Sequence, residues 1–191
     1  MNNAEVLAPV GSEEQLLAAV RSGADAVYLG RERFGMRASP QNFDFDGLKE
    51  AVRISHERGV KVYLTCNTLP RNNEIPHFQR YVEEAVECGV DALIAADIGI
   101  ISLIKKYAPQ MEVHASTQTG IVNYVTAREL YDMGCKRVVL ARELSIDEIA
   151  EIRAKTPKEM DIEAFVHGAM CVSFSGRCLL SSYLVNRDAN R

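Results

Sequence analysis

The strongest constraint on the fold is a junction that occurs four times along the chain. At each one a helical stretch ends in glycine, then come a small or apolar residue and a charged one, and a strand-like run begins. Glycine suits the left-handed position that closes a helix, and short apolar runs are typical of strands buried on both faces of a parallel sheet. Their repetition indicates successive βα units. The junctions lie at Gly23, Gly59, Gly89 and Gly134.

Seven strands are predicted, and helical stretches separate them. They lie at 6–8, 26–29, 60–65, 92–95, 112–115, 137–140 and 162–166. Seven βα units without a topological break favour a TIM-barrel-like α/β fold, and an open doubly wound parallel sheet is the alternative. A complete eight-stranded barrel needs about 250 residues. The 191 residues are therefore expected to form one domain, a barrel truncated before its closing unit.

Composition narrows the class of protein. The formal net charge of −4 argues against a broadly basic nucleic-acid binder and leaves room for a local basic patch. No apolar run approaches the roughly 20 residues that cross a membrane, and the first residues lack the profile of a signal peptide. A cytoplasmic protein without a membrane partner is therefore expected. Its five cysteines are then more typical of thiols or metal ligands than of disulfides.

Polar residues follow almost every predicted strand, at the end where TIM barrels carry their active sites. The candidate catalytic residues are Asn67, Asp97, His114 and His167, and the candidate substrate contacts at the strand ends are Gln118, Arg142 and Glu143. Several of these residues also have a structural interpretation. Asp97 suits a helix cap, Asn67 suits a turn, and Arg142 with Glu143 suits an ion pair at the rim.

Arginines gather in two irregular segments, the loop over 30–43 and the tail over 163–191. The guanidinium group pairs carboxylates and phosphates in bidentate fashion, so these residues are candidate substrate contacts. The candidates are Arg31, Arg33, Arg37, Arg177 and Arg187. Phe34 is interleaved with the arginines of the loop. The alternative is that the arginines pair with Glu32 and Asp188.

The tail also carries two cysteines, Cys171 and Cys178, soon after His167. Their spacing is not the close C-x-x-C of a zinc knuckle. It suits two thiolates of an iron–sulfur cluster, which usually needs four. The other three cysteines are interpreted as structural, two of them beside helix-ending glycines. They are Cys66, Cys88 and Cys135.

A family resemblance runs through the same tail. The segment EAFVHGAMC, from Glu163 to Cys171, and the segment GRCLLS that contains Cys178 resemble the motif of the peptidase U-32 family, the collagenase-like proteases. The stretches LAPVGS, GADAVYLG, HASTQ and VVLARELS are similar to further parts of that family. The resemblance covers essentially the whole chain. It implies a barrel-type catalytic domain with the motif and cysteine tail at 163–191.

The resemblance also implies a cofactor and a reaction. The better understood relatives bind a four-iron, four-sulfur cluster, so Cys171 and Cys178 would be two ligands and the others would lie beyond residue 191. Relatives hydroxylate RNA bases or a quinone ring without oxygen and take the hydroxyl group from prephenate. The chain is most similar to those that make 5-hydroxyuridine at the tRNA wobble position. Prephenate-dependent tRNA hydroxylation, with RNA and a small dicarboxylate as partners, is therefore the favoured expectation. For an RNA substrate, Phe34 or Phe174 could stack on a splayed base.

Two other functions remain open. The family name reflects proteolysis of collagen-like substrates, for which Cys171 with His167 is the local nucleophile and base. A non-enzymatic assembly partner is also compatible with the pattern, because a truncated barrel exposes the flanks of its first and last strands. The sequence leaves the oligomeric state undecided.

Overall fold

Parallel strands and helices alternate in a computed structural model that describes residues 4–35, 42–168, 173–174 and 184. The strands are β1 (Leu7–Pro9), β2 (Ala26–Gly30), β3 (Lys61–Cys66), β4 (Ala92–Ala95), β5 (Glu112–Ala115), β6 (Arg137–Val139) and β7 (Asp161–Glu163). The helices are α1 (Glu13–Arg21), α2 (Phe45–His56), α3 (Phe78–Cys88), α4 (Ile98–Tyr107), α5 (Tyr124–Asp132) and α6 (Ile146–Ala154). Short 3-10 helices precede α3 and follow β5, at Ile75–His77 and Thr117–Thr119.

The seven strands form one parallel sheet in the order β1-β2-β3-β4-β5-β6-β7. Each strand pairs with the next one along the chain, as in a TIM barrel. The alternative of a doubly wound sheet is wrong, because that topology reverses its strand order at a switch point. The predicted TIM-barrel-like arrangement of seven parallel strands is confirmed.

The elements begin and end close to their predicted positions. The four junction glycines have φ between 71° and 97°, the left-handed conformation that closes a helix. The seventh strand is shorter than predicted, because β7 ends at Glu163 and not at residue 166. The carbonyl of Glu163 accepts a hydrogen bond from the N–H of Leu140 at 2.9 Å, and residues 164–168 beyond it are exposed.

Side chains from alternate positions face opposite sides of the sheet. On β3, Val62 and Leu64 join the large apolar core between sheet and helices, whereas Tyr63 faces the barrel interior. The interior cluster is much smaller and includes Ala26 and Ala92. These small side chains leave space that larger polar groups of neighbouring strands occupy. No helix among the described residues is long and apolar enough to cross a membrane.

One arginine links the two ends of the sheet across this interior. Arg137 starts β6, and its Nη1 lies 2.6 Å from Glu5 Oε1, just before β1, and 3.4 Å from Glu163 Oε2 at the end of β7. Its Nη2 lies 3.6 Å from Asp161 Oδ2. Within the described residues β1 and β7 do not pair. The arginine therefore connects strands that no backbone ladder joins, and it holds the sheet curled.

We expect Arg137→Met to destabilise the fold strongly. The change leaves Glu5 and Glu163 partly buried without their shared cation, and breaking such a pair costs about 3 kcal/mol or more. Urea denaturation followed by circular dichroism measures the loss in free energy of unfolding.

Lys61→Met is the matched control. Lys61 also faces Glu5, but at 3.9 Å and with a side chain that is 57% exposed. Exposed pairs of this kind contribute at most about 1 kcal/mol. Equal unfolding midpoints for the two variants would show that Arg137 does not hold the sheet together.

Candidate active site

The loops at the carboxyl ends of the strands contact one another in neighbouring pairs. After β3, the N–H of Thr68 donates to the carbonyl of Phe34 in the loop after β2, at 3.1 Å. After β5, the hydroxyl of Thr117 donates to the carbonyl of Leu140 after β6, at 3.1 Å. Loops that carry predicted site residues thus meet in pairs at the carboxyl ends of the strands, the position of the active site in TIM barrels.

Arg142 lies on this face beside the tail. One Nη2–H of Arg142 makes a long hydrogen bond of 3.4 Å with the carbonyl of Ser173. Its Nε is buried and has no hydrogen-bond partner among the described residues. A buried donor without an acceptor is costly, so Arg142 is suited to receive an acceptor from a ligand. A substrate-binding role for Arg142 stays a prediction, as does that of the exposed Glu143.

His114 lies inside the barrel, and its side chain is fully buried. Its Nε2 is 2.9 Å from Glu112 Oε1, and its ring meets the ring of Tyr63 edge-on at 4.6 Å. Burial lowers the pKa of His114, although Glu112 opposes that effect. The neutral ring then donates Nε2–H to the carboxylate and keeps a lone pair on Nδ1, a buried atom without a partner in the described part of the chain.

Asp97 caps a helix, as its structural interpretation predicts. Asp97 Oδ1 accepts a hydrogen bond from the N–H of Ile100 at 3.0 Å, at the start of α4. Asn67 and Gln118 are half-buried on the loops after β3 and β5. His167 is exposed four residues after the end of β7. The structure thus places all four on the same face, and their catalytic or binding roles stay predictions.

Arg31 is held by the protein itself. Its Nη1 is 2.6 Å from Glu84 Oε2 on α3, and the two side chains are only 14% and 21% exposed. The guanidinium also lies over the ring of Tyr81 at 5.6 Å. Its ion-pair partner is therefore Glu84 and not Glu32, and a substrate-binding role for Arg31 stays a prediction. Arg33 is exposed. The remaining predicted substrate contacts lie outside the described residues: Arg37, Arg177 and Arg187.

Phe34 is wrongly predicted as a base-stacking residue. Its ring is only 6% exposed and packs edge-on against Phe78 and Tyr81 at 5.2 and 5.1 Å. Its φ of 63° is unusual for a residue with a side chain, and it turns the ring into the core. Phe174 is 47% exposed, and base stacking stays a prediction for this residue.

The cysteines in the described residues are core residues, as predicted. Cys66, Cys88 and Cys135 are buried and free. Burial raises the pKa of the Cys66 thiol well above its usual range and that of Cys135 to about 11. They are neutral thiols on separate elements. The predicted cluster ligands, Cys171 and Cys178, lie outside the described residues.

Sequence reasoning missed the polar groups of the barrel interior. Glu5, Tyr63, Arg137 and Glu163 form a connected set around the barrel axis, and His114 links Glu112 to it through the ring of Tyr63. A signal was present, because Glu112 and Arg137 are charged residues at the start of strands that otherwise read as buried. A charge that belongs to a buried strand indicates a polar network in the barrel.

The model of peptidase family U32 matches residues 11–191. The chain belongs to peptidase family U32. It is 42% identical over 187 residues to tRNA hydroxylation protein P of Escherichia coli. The aligned region covers 98% of this chain and 41% of that protein. It is 40% identical over 187 residues to a 23S rRNA 5-hydroxycytidine synthase of Escherichia coli, covering 98% and 28%.

A third relative is named a collagenase. The chain is 37% identical over 201 residues to a collagenase of Porphyromonas gingivalis, covering 100% of this chain and 48% of that protein. The chain thus spans less than half the length of all three relatives. The solved structure of the U32 peptidase Mk0906 shares the fold with a TM-score of 0.72 at 14% identity, over 85% of this chain and 68% of that one.

We expect Arg31→Ala to reduce the stability of the fold by about 2 kcal/mol, because it removes a charge-assisted hydrogen bond and a stacked guanidinium. Urea denaturation measures the change in the free energy of unfolding. Arg33→Ala, two residues away and exposed, is the control and is expected to stay within about 0.5 kcal/mol of wild type. Equal stability of the two variants would remove the structural role assigned to Arg31.

Proposed function

We propose that this chain forms the barrel of an RNA-hydroxylating enzyme that converts the wobble uridine of tRNA to 5-hydroxyuridine. The observation that carries the proposal is the similarity, over 98% of the chain, to two relatives named for RNA hydroxylation. In the proposed reaction no oxygen is used, and prephenate, a small dicarboxylate, supplies the hydroxyl group.

The geometry of the mouth supports an anionic co-substrate. Arg142 has a buried Nε–H without an acceptor in the described residues, and a carboxylate is the acceptor that a guanidinium pairs best. The exposed Arg33 adds positive charge on the same face. Deeper in the barrel Glu5, Glu112 and Glu163 repel anions. The donor is therefore expected to bind at the mouth and not in the interior.

The cysteines of the tail supply part of the ligand set that an iron–sulfur cluster needs. Cys171 and Cys178 supply two thiolates, half of a usual set. The cysteines of the described residues cannot complete it, because Cys66, Cys88 and Cys135 are buried on separate elements. We propose that the other ligands come from outside residues 1–191. When bound, a four-iron, four-sulfur cluster supplies redox or Lewis-acid chemistry.

We expect the full-length gene product, purified without oxygen, to contain stoichiometric iron and acid-labile sulfide. Cys171→Ala and Cys178→Ala should each lose both, since each removes a proposed ligand. Cys88→Ala is the control and should keep them, because Cys88 is a core thiol at the end of α3. Iron retained in both tail variants would remove these cysteines from the ligand set.

We expect Arg142→Gln to raise the KM for prephenate at least about tenfold, the effect of losing one charge-assisted hydrogen bond. The assay supplies tRNA and prephenate and detects 5-hydroxyuridine by mass spectrometry of nucleosides. Arg128→Gln is the control, because Arg128 is an exposed arginine on α5. An unchanged KM in the Arg142 variant would place the donor elsewhere.

Peptidase activity is the second candidate, favoured by the collagenase relative. Among the described residues the free thiols are buried core groups, so a thiol nucleophile would have to be Cys171. Collagen cleavage that disappears in Cys171→Ala and persists in iron-free protein would support it. Wild-type protein that leaves tRNA uridine unmodified under anaerobic conditions with prephenate would count against hydroxylation.

A further inference from the structure

Most of the exposed large apolar side chains in the described residues lie at the carboxyl end of the barrel. A group of them follows the strands β4 to β7, which are consecutive neighbours in the sheet. These side chains are between 39% and 94% exposed, and together we call them the apolar arc. Its members are Ile98, Val122, Val125, Ile146, Phe165 and Val166.

Three neighbouring helices begin in the same way. Each of α4, α5 and α6 follows a polar N-cap and carries an exposed aliphatic side chain at its first or second position. The pairs are Asp97 with Ile98, Asn123 with Val125, and Ser145 with Ile146. Apolar residues scattered singly over a surface are normal, whereas a contiguous apolar patch marks an interaction site. The repetition at adjacent helix starts makes the arc a patch of the second kind.

The loops that carry the arc are hydrogen-bonded to one another. The N–H of Ser116 donates to the carbonyl of Ala95 at 2.8 Å and joins the loops after β4 and β5. The N–H of Ala141 donates to the carbonyl of Ile121 at 3.0 Å and joins the loops after β5 and β6. The apolar side chains are therefore held on one preformed surface.

The chemistry of the arc favours a protein surface over RNA. RNA is bound through cations that pair with its phosphates and through aromatic rings that stack on its bases. The aliphatic members of the arc offer neither. The exposed residues after β1 and β2 are instead charged, among them Glu13, Glu32 and Arg33. One half of the rim is thus apolar and suits an apolar partner, and the other half is polar.

The tail meets the rim next to the arc. The carbonyl of Ser173 lies 3.4 Å from Nη2 of Arg142, in the loop between β6 and α6. The aligned region is only 41% of the tRNA hydroxylation relative and 28% of the rRNA synthase. In the proposed function, polypeptide outside residues 1–191 supplies the cluster ligands that join Cys171 and Cys178. That polypeptide has to reach the tail, and Ser173 follows Cys171 by two residues.

We propose that the apolar arc is an interdomain interface, covered by an apolar surface of the part of the gene product that lies outside residues 1–191. This inference rests on the proposed function, because the docked part is the one that supplies the remaining cluster ligands. Docking buries the arc and holds those ligands against the tail. Interfaces between domains of one chain bury about 600–1,500 Å², and the side chains of the arc provide the apolar centre of such a contact.

The first test uses the unmodified full-length gene product and needs no variant. The helices α1 and α6 are both nine residues long and both follow a serine N-cap, but only α6 begins in the arc. The first N–H groups of a helix have no partner within it, so their exposure to water controls their exchange. Hydrogen–deuterium exchange should be at least about tenfold slower at the start of α6 than at the start of α1, after correction for intrinsic rates.

Val122→Glu and Val86→Glu are a matched pair for the second test, because both side chains are 39% exposed. Val122 belongs to the arc, whereas Val86 lies on α3 and outside it. A carboxylate in a docked apolar interface loses its water without gaining a partner, which is costly. In the full-length protein Val122→Glu should therefore lower the urea midpoint by at least about 0.5 M and lose most of the iron and acid-labile sulfide. Val86→Glu should keep the wild-type midpoint and metal content.

Several outcomes would overturn the proposal. Equal exchange at the starts of α1 and α6 would show that the arc is uncovered, and equal urea midpoints of the two variants would show the same. A dimeric wild type that Val122→Glu converts to an iron-loaded monomer would assign the arc to a second copy of the chain. A stable, iron-loaded Val122→Glu protein that is impaired only in its KM for tRNA would assign it to RNA.

The exchange measurement separates this inference from the proposed function. Wild-type full-length protein without iron and sulfide contradicts the cluster of the proposed function. Slow exchange at the start of α6 in that same protein would still support docking on the arc. Stoichiometric iron together with fast exchange there would leave the cluster in place and overturn the docking.

Discussion

The buried guanidinium of Arg137 is the interaction on which the shape of the barrel depends. Backbone hydrogen bonds join each strand to its neighbour, but within the described residues nothing in that ladder connects β1 to β7. Arg137 reaches Glu5 before β1 and Glu163 at the end of β7. A buried ion pair contributes little net stability when compared with an apolar pair, but it is demanding in geometry. It therefore holds the segment before β1 and the end of β7 at one point of the barrel interior.

The interior and the mouth of the barrel have opposite electrostatic character. Inside, Glu5, Glu112 and Glu163 outnumber the buried Arg137, and Glu112 holds a neutral His114. At the mouth, Arg142 keeps a buried donor without a partner in the described residues. An anion is thus attracted to the mouth and repelled by the interior.

Local patterns predicted the fold well and the site in part. The junction glycines, the apolar runs and the cap at Asp97 each act within a few residues, so the sequence exposes them directly. Roles that depend on partners far away along the chain were not visible in the sequence. Arg31 looked like a free cation but pairs with Glu84, which lies 53 positions later. Phe34 looked like a stacking ring because nothing local shows its left-handed backbone.

The amino-acid sequence by itself determined the order of βα units, the parallel sheet and the family motif, because helix ends, strand runs and motif spacings are short-range properties. Only the tertiary structure decided which charges meet. Glu5 and Arg137 are 132 positions apart, and their contact follows from the curl of the whole sheet. The weaker contact of Glu163 follows from that same arrangement, since Arg137 Nη1 lies 2.6 Å from Glu5 and 3.4 Å from Glu163. Protonation in the barrel is therefore a property of the folded shape.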